Sequence, residues 1–111
     1  MIRLLLVEDD ALIGGTLVRH LGRAYQVTWV TGVEAAREAL AGPSFAVVVA
    51  DYEVAEGEHD TLAVAAALQP TAVRILHSGW PDAPTRFADA IVVKPAPVKE
   101  LLDTIERLRG G

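Results

Sequence analysis

The sequence predicts an α/β fold: a doubly wound, five-stranded parallel sheet in the order 2-1-3-4-5. Three observations predict it. Short runs rich in Val, Ile and Leu recur along the chain, and they are continuous rather than alternating, as in strands buried on both faces. Segments with helical apolar spacing lie between them, the alternation that builds a parallel sheet. Four of the runs end in polar residues: Glu8-Asp9-Asp10, Asp51, Ser78 and Lys94. In an open sheet of this kind ligands bind outside the carboxyl ends of the strands.

The first strand, Ile2 to Val7, delivers the acids. In the helix that follows, Leu12, Ile13, Leu17, Val18 and Leu21 recur at helical spacing and are read as its core face. Asp10 is suited to cap that helix and Gly22 to end it. Gly14 and Gly15 within it each cost roughly 1 kcal/mol against Ala. The second strand, Gln26 to Val30, carries Trp29, expected in the core. An alanine-rich helix, Val33 to Ala41, stops at Gly42-Pro43. The third strand, Phe45 to Ala50, is closed by Asp51. A helix from His59 to Leu68 ends before Pro70, and the fourth strand, Ala72 to His77, leads to Ser78. Pro81 and Pro84 then disfavour helix in the connection that reaches Asp89. A parallel crossover needs about a dozen residues, usually with a helix, so the fourth helix of the alternation is expected to be shortened or absent. The fifth strand, Ala90 to Val93, runs into Lys94-Pro95. The last helix, Val98 to Leu108, has Leu101, Leu102, Ile105 and Leu108 on one face. Arg107 and Arg109 are favourable charges at its carboxyl end.

Bulk properties narrow the function. The chain has 111 residues and reads as a single domain over 1–111. Its net charge of −5 argues against nucleic acid as a direct partner. It has no cysteine, which fits a reducing cytoplasm and excludes thiol chemistry. No apolar run reaches the roughly 18 residues of a membrane helix, and acids follow the apolar start too soon for a signal peptide. His20, His59 and His77 lack ligand spacing and are expected at the surface or at edges.

In the order 2-1-3-4-5 the first and third strands are neighbours, so Glu8, Asp9 and Asp51 converge. They offer hard oxygen ligands, which select Mg²⁺ or Mn²⁺. With a cation beside it, Asp51 can attack phosphorus and become an aspartyl phosphate. Lys94 can neutralise charge on the phosphoryl oxygens. Ser78 can donate a hydrogen bond to one of them, and Gly79 leaves room for the group.

These residues, in this order and spacing over essentially the whole chain, resemble the receiver domain of two-component response regulators, a flavodoxin-like, CheY-like fold. The resemblance rests on Glu8-Asp9 after Leu-Leu-Val, Asp51 after Val-Val-Val-Ala, Ser78-Gly79, and Lys94-Pro95. It implies a metal-binding acid pair in Glu8 and Asp9 acting with Asp51, a phosphoacceptor in Asp51, a switch hydroxyl in Ser78, and a phosphoryl-binding cation in Lys94, aimed by a cis bond to Pro95. It implies Mg²⁺ as the cofactor and a histidine kinase or histidine phosphotransfer protein as the partner. A weak homodimer is compatible with it. The chain would relay the group by conformational change rather than act as an enzyme.

Some positions depart from the family's pattern. Ile91 stands where an aromatic is usual, three before Lys94, and the segment after Asp51 lacks a frequent proline. Ile91 and the shortened fourth helix favour a rival reading, a receiver-fold interaction module that signals without phosphorylation, which the five intact motif positions oppose. A second rival is an aspartate-nucleophile phosphatase of the haloacid-dehalogenase type. Asp51-Tyr52-Glu53 faintly matches that type, but its nucleophile belongs on the first strand. Glu53 and Trp80 hold positions that in receivers flank the path of the attacking water. Trp80 either packs its loop or covers the site.

Overall fold

The structure, a computed structural model, describes residues 1–51, 61–79 and 87–110. In chain order the elements are β1 (Arg3–Val7), α1 (Ala11–Leu21), β2 (Gln26–Val30), α2 (Val33–Leu40), β3 (Val47–Asp51), α3 (Thr61–Leu68), β4 (Val73–Ser78), β5 (Ala90–Val93) and α4 (Val98–Leu108). The strands form one parallel sheet in the order β2-β1-β3-β4-β5. This is the doubly wound order expected from the sequence.

Side chains alternate across a strand with period two, so each continuous apolar run serves two cores. Leu5, Val7, Val48, Ala50 and Leu76 pack with Ala36 and Leu40 of α2 and Leu62 and Ala65 of α3. Leu4, Leu6, Val47, Val49, Ile75 and Val92 face the other way, onto Leu17 and Leu21 of α1 and Leu101 and Ile105 of α4. Covering both faces is what lets an uninterrupted Val/Leu run be stable in water.

The strand ends differ slightly from expectation. β3 begins at Val47 and includes Asp51, and β4 includes Ser78, because pairing with β4 and β5 extends past the apolar residues. The expected start of α3 at His59 lies outside the described residues. No helix occurs between β4 and β5 among the described residues, and 80–86, where Pro81 and Pro84 were expected to shorten it, lies outside them. Asp10 caps α1 as read, its carboxylate accepting from the backbone N–H groups of Leu12 and Ile13 at 2.9 and 3.0 Å.

Two expected core residues are not core. Leu12 is 82% exposed. Gly14, Leu17 and Leu21 form the buried stripe of α1, and Leu12 lies on the opposite side of the helix. Trp29 is 36% exposed because β2 is an edge strand. Its ring covers Gly14.

Two polar side chains tie elements together. Buried Gln69, just after α3, accepts from the Phe45 N–H at 2.6 Å and donates to the carbonyls of Leu40 and Pro43 at 2.8 and 3.3 Å. It joins the ends of α2 and α3 to the approach to β3. On β4, the backbone N–H of Arg74 donates to the Asp89 carboxylate and the Asp89 N–H to the Arg74 carbonyl, at 2.8 and 2.7 Å. The Arg74 guanidinium donates to the carbonyls of Phe87 and Pro70.

Replacing Gln69 by Met keeps the volume but strands the Phe45 N–H. The variant should lose about 1–3 kcal/mol in urea unfolding, and an unchanged midpoint would show that the clamp is dispensable. Gly15 faces open space, so Gly15→Ala should add roughly 0.5–1 kcal/mol by helix propensity in the same assay.

Candidate functional site

Strand alternation assembles the site. Asp51 continues the side of Val47 and Val49, and Glu8 that of Leu4 and Leu6, so both project toward α1 and α4 where the apolar strand ends. Register places Val7 beside Ala50, which sets Glu8 beside Asp51. Lys94 follows β5 on the same side as Val92, after which the Lys94–Pro95 bond is cis.

The Lys94 ammonium donates to Asp51 Oδ2 at 2.9 Å and to Glu8 Oε1 at 3.1 Å. Glu8 and Asp51 are buried, while Asp9 is exposed beside them. The other Glu8 oxygen accepts from the Asp10 N–H at 3.2 Å. One oxygen from each of Glu8, Asp9 and Asp51 lies within 4.8 Å of the others. This all-oxygen set fits a small hard divalent cation such as Mg²⁺. A cleft of about 480 Å³ opens over it, lined by Asp9, Asp10, Ile13, Asp51, Gly79 and Lys94. Ser78 is buried at the end of β4 beside Val93, and its carbonyl accepts the Lys94 N–H at 2.7 Å. Gly79, rather than Ser78, lines the cleft among the described residues. Glu53 and Trp80, read as flanking the water path, lie outside the described residues.

Charge crowding shapes the site. Burial, reinforced by a hydrogen bond with Asp51, pushes the Glu8 carboxyl up to about 7, against the pull of Lys94. Burial works against the Lys94 charge, but its bonds to Asp51 and Glu8 outweigh that and hold it above the ordinary lysine value. Two facing buried carboxylates without a further cation therefore favour one proton between them.

His77 was expected at the surface or an edge. It is instead 6% exposed. It sits on β4 between Asp51 and Val92 of the flanking strands, so both neighbours and the covering layer close over it. Its Nδ1 is buried without a hydrogen-bond partner among the described residues. Burial first, and then the charge of Lys94, push its pKa down to about 4. Nothing local in Ile75-Leu76-His77-Ser78 signals this position; only the register with β3 does.

No protein-family model matches the chain, and no curated protein sequence does. Solved structures do. A CheY-like response regulator receiver domain protein from Methanospirillum hungatei superposes with a TM-score of 0.84 at 20% identity, covering 99% of this chain and 94% of that one. A Thermotoga maritima response regulator, in complex with Mg²⁺-BeF, gives 0.82 at 24% identity, covering 97% and 99%. A Burkholderia pseudomallei response regulator protein, with a phosphorylated aspartic acid, calcium ion and citrate, gives 0.76 at 21% identity, covering 99% and 72%. The chain has the fold of CheY-like response regulator receiver domains.

The histidine yields a pH prediction. An unfolded chain protonates His77 near its ordinary value of 6.5, whereas the folded chain resists until about 4. The stability held by the neutral ring is complete above pH 6.5 and is lost as pH falls toward 4, by at most about 3 kcal/mol. In urea titrations with EDTA, His77→Leu should lose less stability than the parent over that interval. Parallel losses would contradict the assignment.

Proposed function

We propose that this chain is a response-regulator receiver that accepts a phosphoryl group on Asp51 from a histidine kinase or histidine phosphotransfer protein in the cytoplasm. The observation that carries the reading is the Lys94 ammonium bonded to both Asp51 and Glu8 at the carboxyl edge of a receiver-type sheet. The likeness to solved response regulators, one holding a phosphorylated aspartic acid and another Mg²⁺-BeF, supports it.

The chemistry follows from the placement. Asp51 stands at the floor of a cleft open to a donor. Its carboxylate oxygen forms a bond to phosphorus as the bond from phosphorus to the donor imidazole nitrogen breaks, and the freed imidazole takes up a proton from water. The protein makes no other covalent bond; it positions groups and stabilises charge. Lys94 starts on Asp51 Oδ2 and is in place to follow negative charge onto the phosphoryl oxygens. Gly79 presents no side chain to the incoming group. Glu8, Asp9 and Asp51 would hold Mg²⁺, which supplies the second cation that an anionic donor needs on meeting three acids. Transfer occurs once per chain, so the product is a signalling state rather than a released compound. Ile91, half-buried against the α2/α3 core, replaces the usual aromatic on the way from the site to the β5 surface, so the relay proceeds without a ring at that point.

Acetyl phosphate with Mg²⁺ should add one phosphoryl group per chain, read by intact-mass spectrometry. EDTA and Asp51→Asn should abolish it, and Lys94→Ala should slow it roughly a hundredfold while circular dichroism stays native. Modification that persists in Asp51→Asn, or its absence in the parent protein, would refute the reading.

A further inference from the structure

Among the described residues, Trp29 is the largest side chain near the site that the chemistry above does not use. Its indole N–H donates to the Glu8 carbonyl at 2.9 Å, and the Glu8 N–H donates to the Val30 carbonyl at 3.0 Å. Both backbone groups of Glu8 are thus held by the carboxyl end of β2. The bonded carbonyl belongs to the Glu8–Asp9 peptide. A peptide is planar, so fixing its oxygen fixes the direction in which the Asp9 Cα, the base from which its carboxylate extends, leaves the strand. Asp9 has no other such restraint: among the described residues its side chain makes no hydrogen bond. The indole can reach this carbonyl because α1 has a glycine under it. A Cβ built on Gly14 would lie 2.2 Å from Trp29 Cζ2, 2.5 Å from Cε2 and 2.9 Å from Nε1. Any side chain at position 14 would push the ring off Glu8.

From this geometry we propose that Trp29 is a positioning residue for the acid pair, with Gly14 as its seat: the indole holds the Glu8–Asp9 peptide so that Asp9 faces the divalent cation together with Glu8 and Asp51. The role rests on the metal-binding part of the proposed function. It accounts for a helix-breaking residue at the amino end of the buried stripe of α1, where Ala would be the better helix former. It also gives the indole a purpose at an exposed edge, where its apolar area is only partly covered.

Isothermal titration with Mg²⁺ alone tests it on the full chain. Trp29→Phe keeps a ring over Gly14 and removes the donor; its affinity should fall roughly tenfold, as for loss of a group that orients a metal ligand. Gly14→Ala should fall similarly, because its methyl displaces the indole. In a Trp29→Ala background, where the space is open, adding Gly14→Ala should change nothing further. The Trp29 indole N–H resonance, assigned by its loss in Trp29→Phe, should shift with the same Mg²⁺ dependence as the heat. Circular dichroism confirms that each variant is folded. Binding in the parent with unchanged affinity in Trp29→Phe overturns the positioning role and leaves the proposed function standing. No binding in the parent overturns both.

Discussion

Two carboxylates, Glu8 and Asp51, face one ammonium, Lys94, where the sheet stops being apolar. The rest of the structure can be understood from that contact. Buried charges are tolerated when paired and hydrogen-bonded, and here one cation serves two carboxylates that, without a second cation, favour sharing a proton. Asp9 adds a further acid at the rim. Such a place attracts cations, and with a cation present it admits an anion. That sequence of events is what phosphoryl transfer to a carboxylate requires.

The pairing is possible because the sheet is covered on both sides. With α1 and α4 on one face and α2 and α3 on the other, polar side chains have room where strands end. The parallel arrangement brings all the carboxyl ends to one edge. A row forms there from Glu8, just past the end of β1, through Asp51 on β3 to His77 on β4. His77 gives this row a polarisable neutral member beside the charges, at the cost of an unpartnered ring nitrogen.

Much of this was legible in residue order. β2, β5 and α4 have the bounds read from the sequence, because Gly, Pro and charged residues punctuate uniform apolar segments at those points. The convergence of Glu8, Asp9, Asp51 and Lys94 was legible too, since Glu8, Asp51 and Lys94 are each the first polar residue after such a segment and Asp9 follows Glu8 directly. The misreadings share one cause. Leu12 was read from helical spacing, Trp29 from residue type and His77 from its lack of ligand spacing, but their surroundings are decided by partners distant in sequence. The phase of α1 depends on a tryptophan in β2, the exposure of that tryptophan on β2 being an edge, and the burial of His77 on strands flanking it.

The reciprocal bonds between Arg74 and Asp89, with Phe87 held by the guanidinium, fix where the chain re-enters the sheet. β5 starts immediately afterwards, and Lys94 sits at a set distance along it. The register of Lys94 is therefore defined also from the amino end of β4, where Arg74 grips Asp89, and not at the strand's carboxyl end alone.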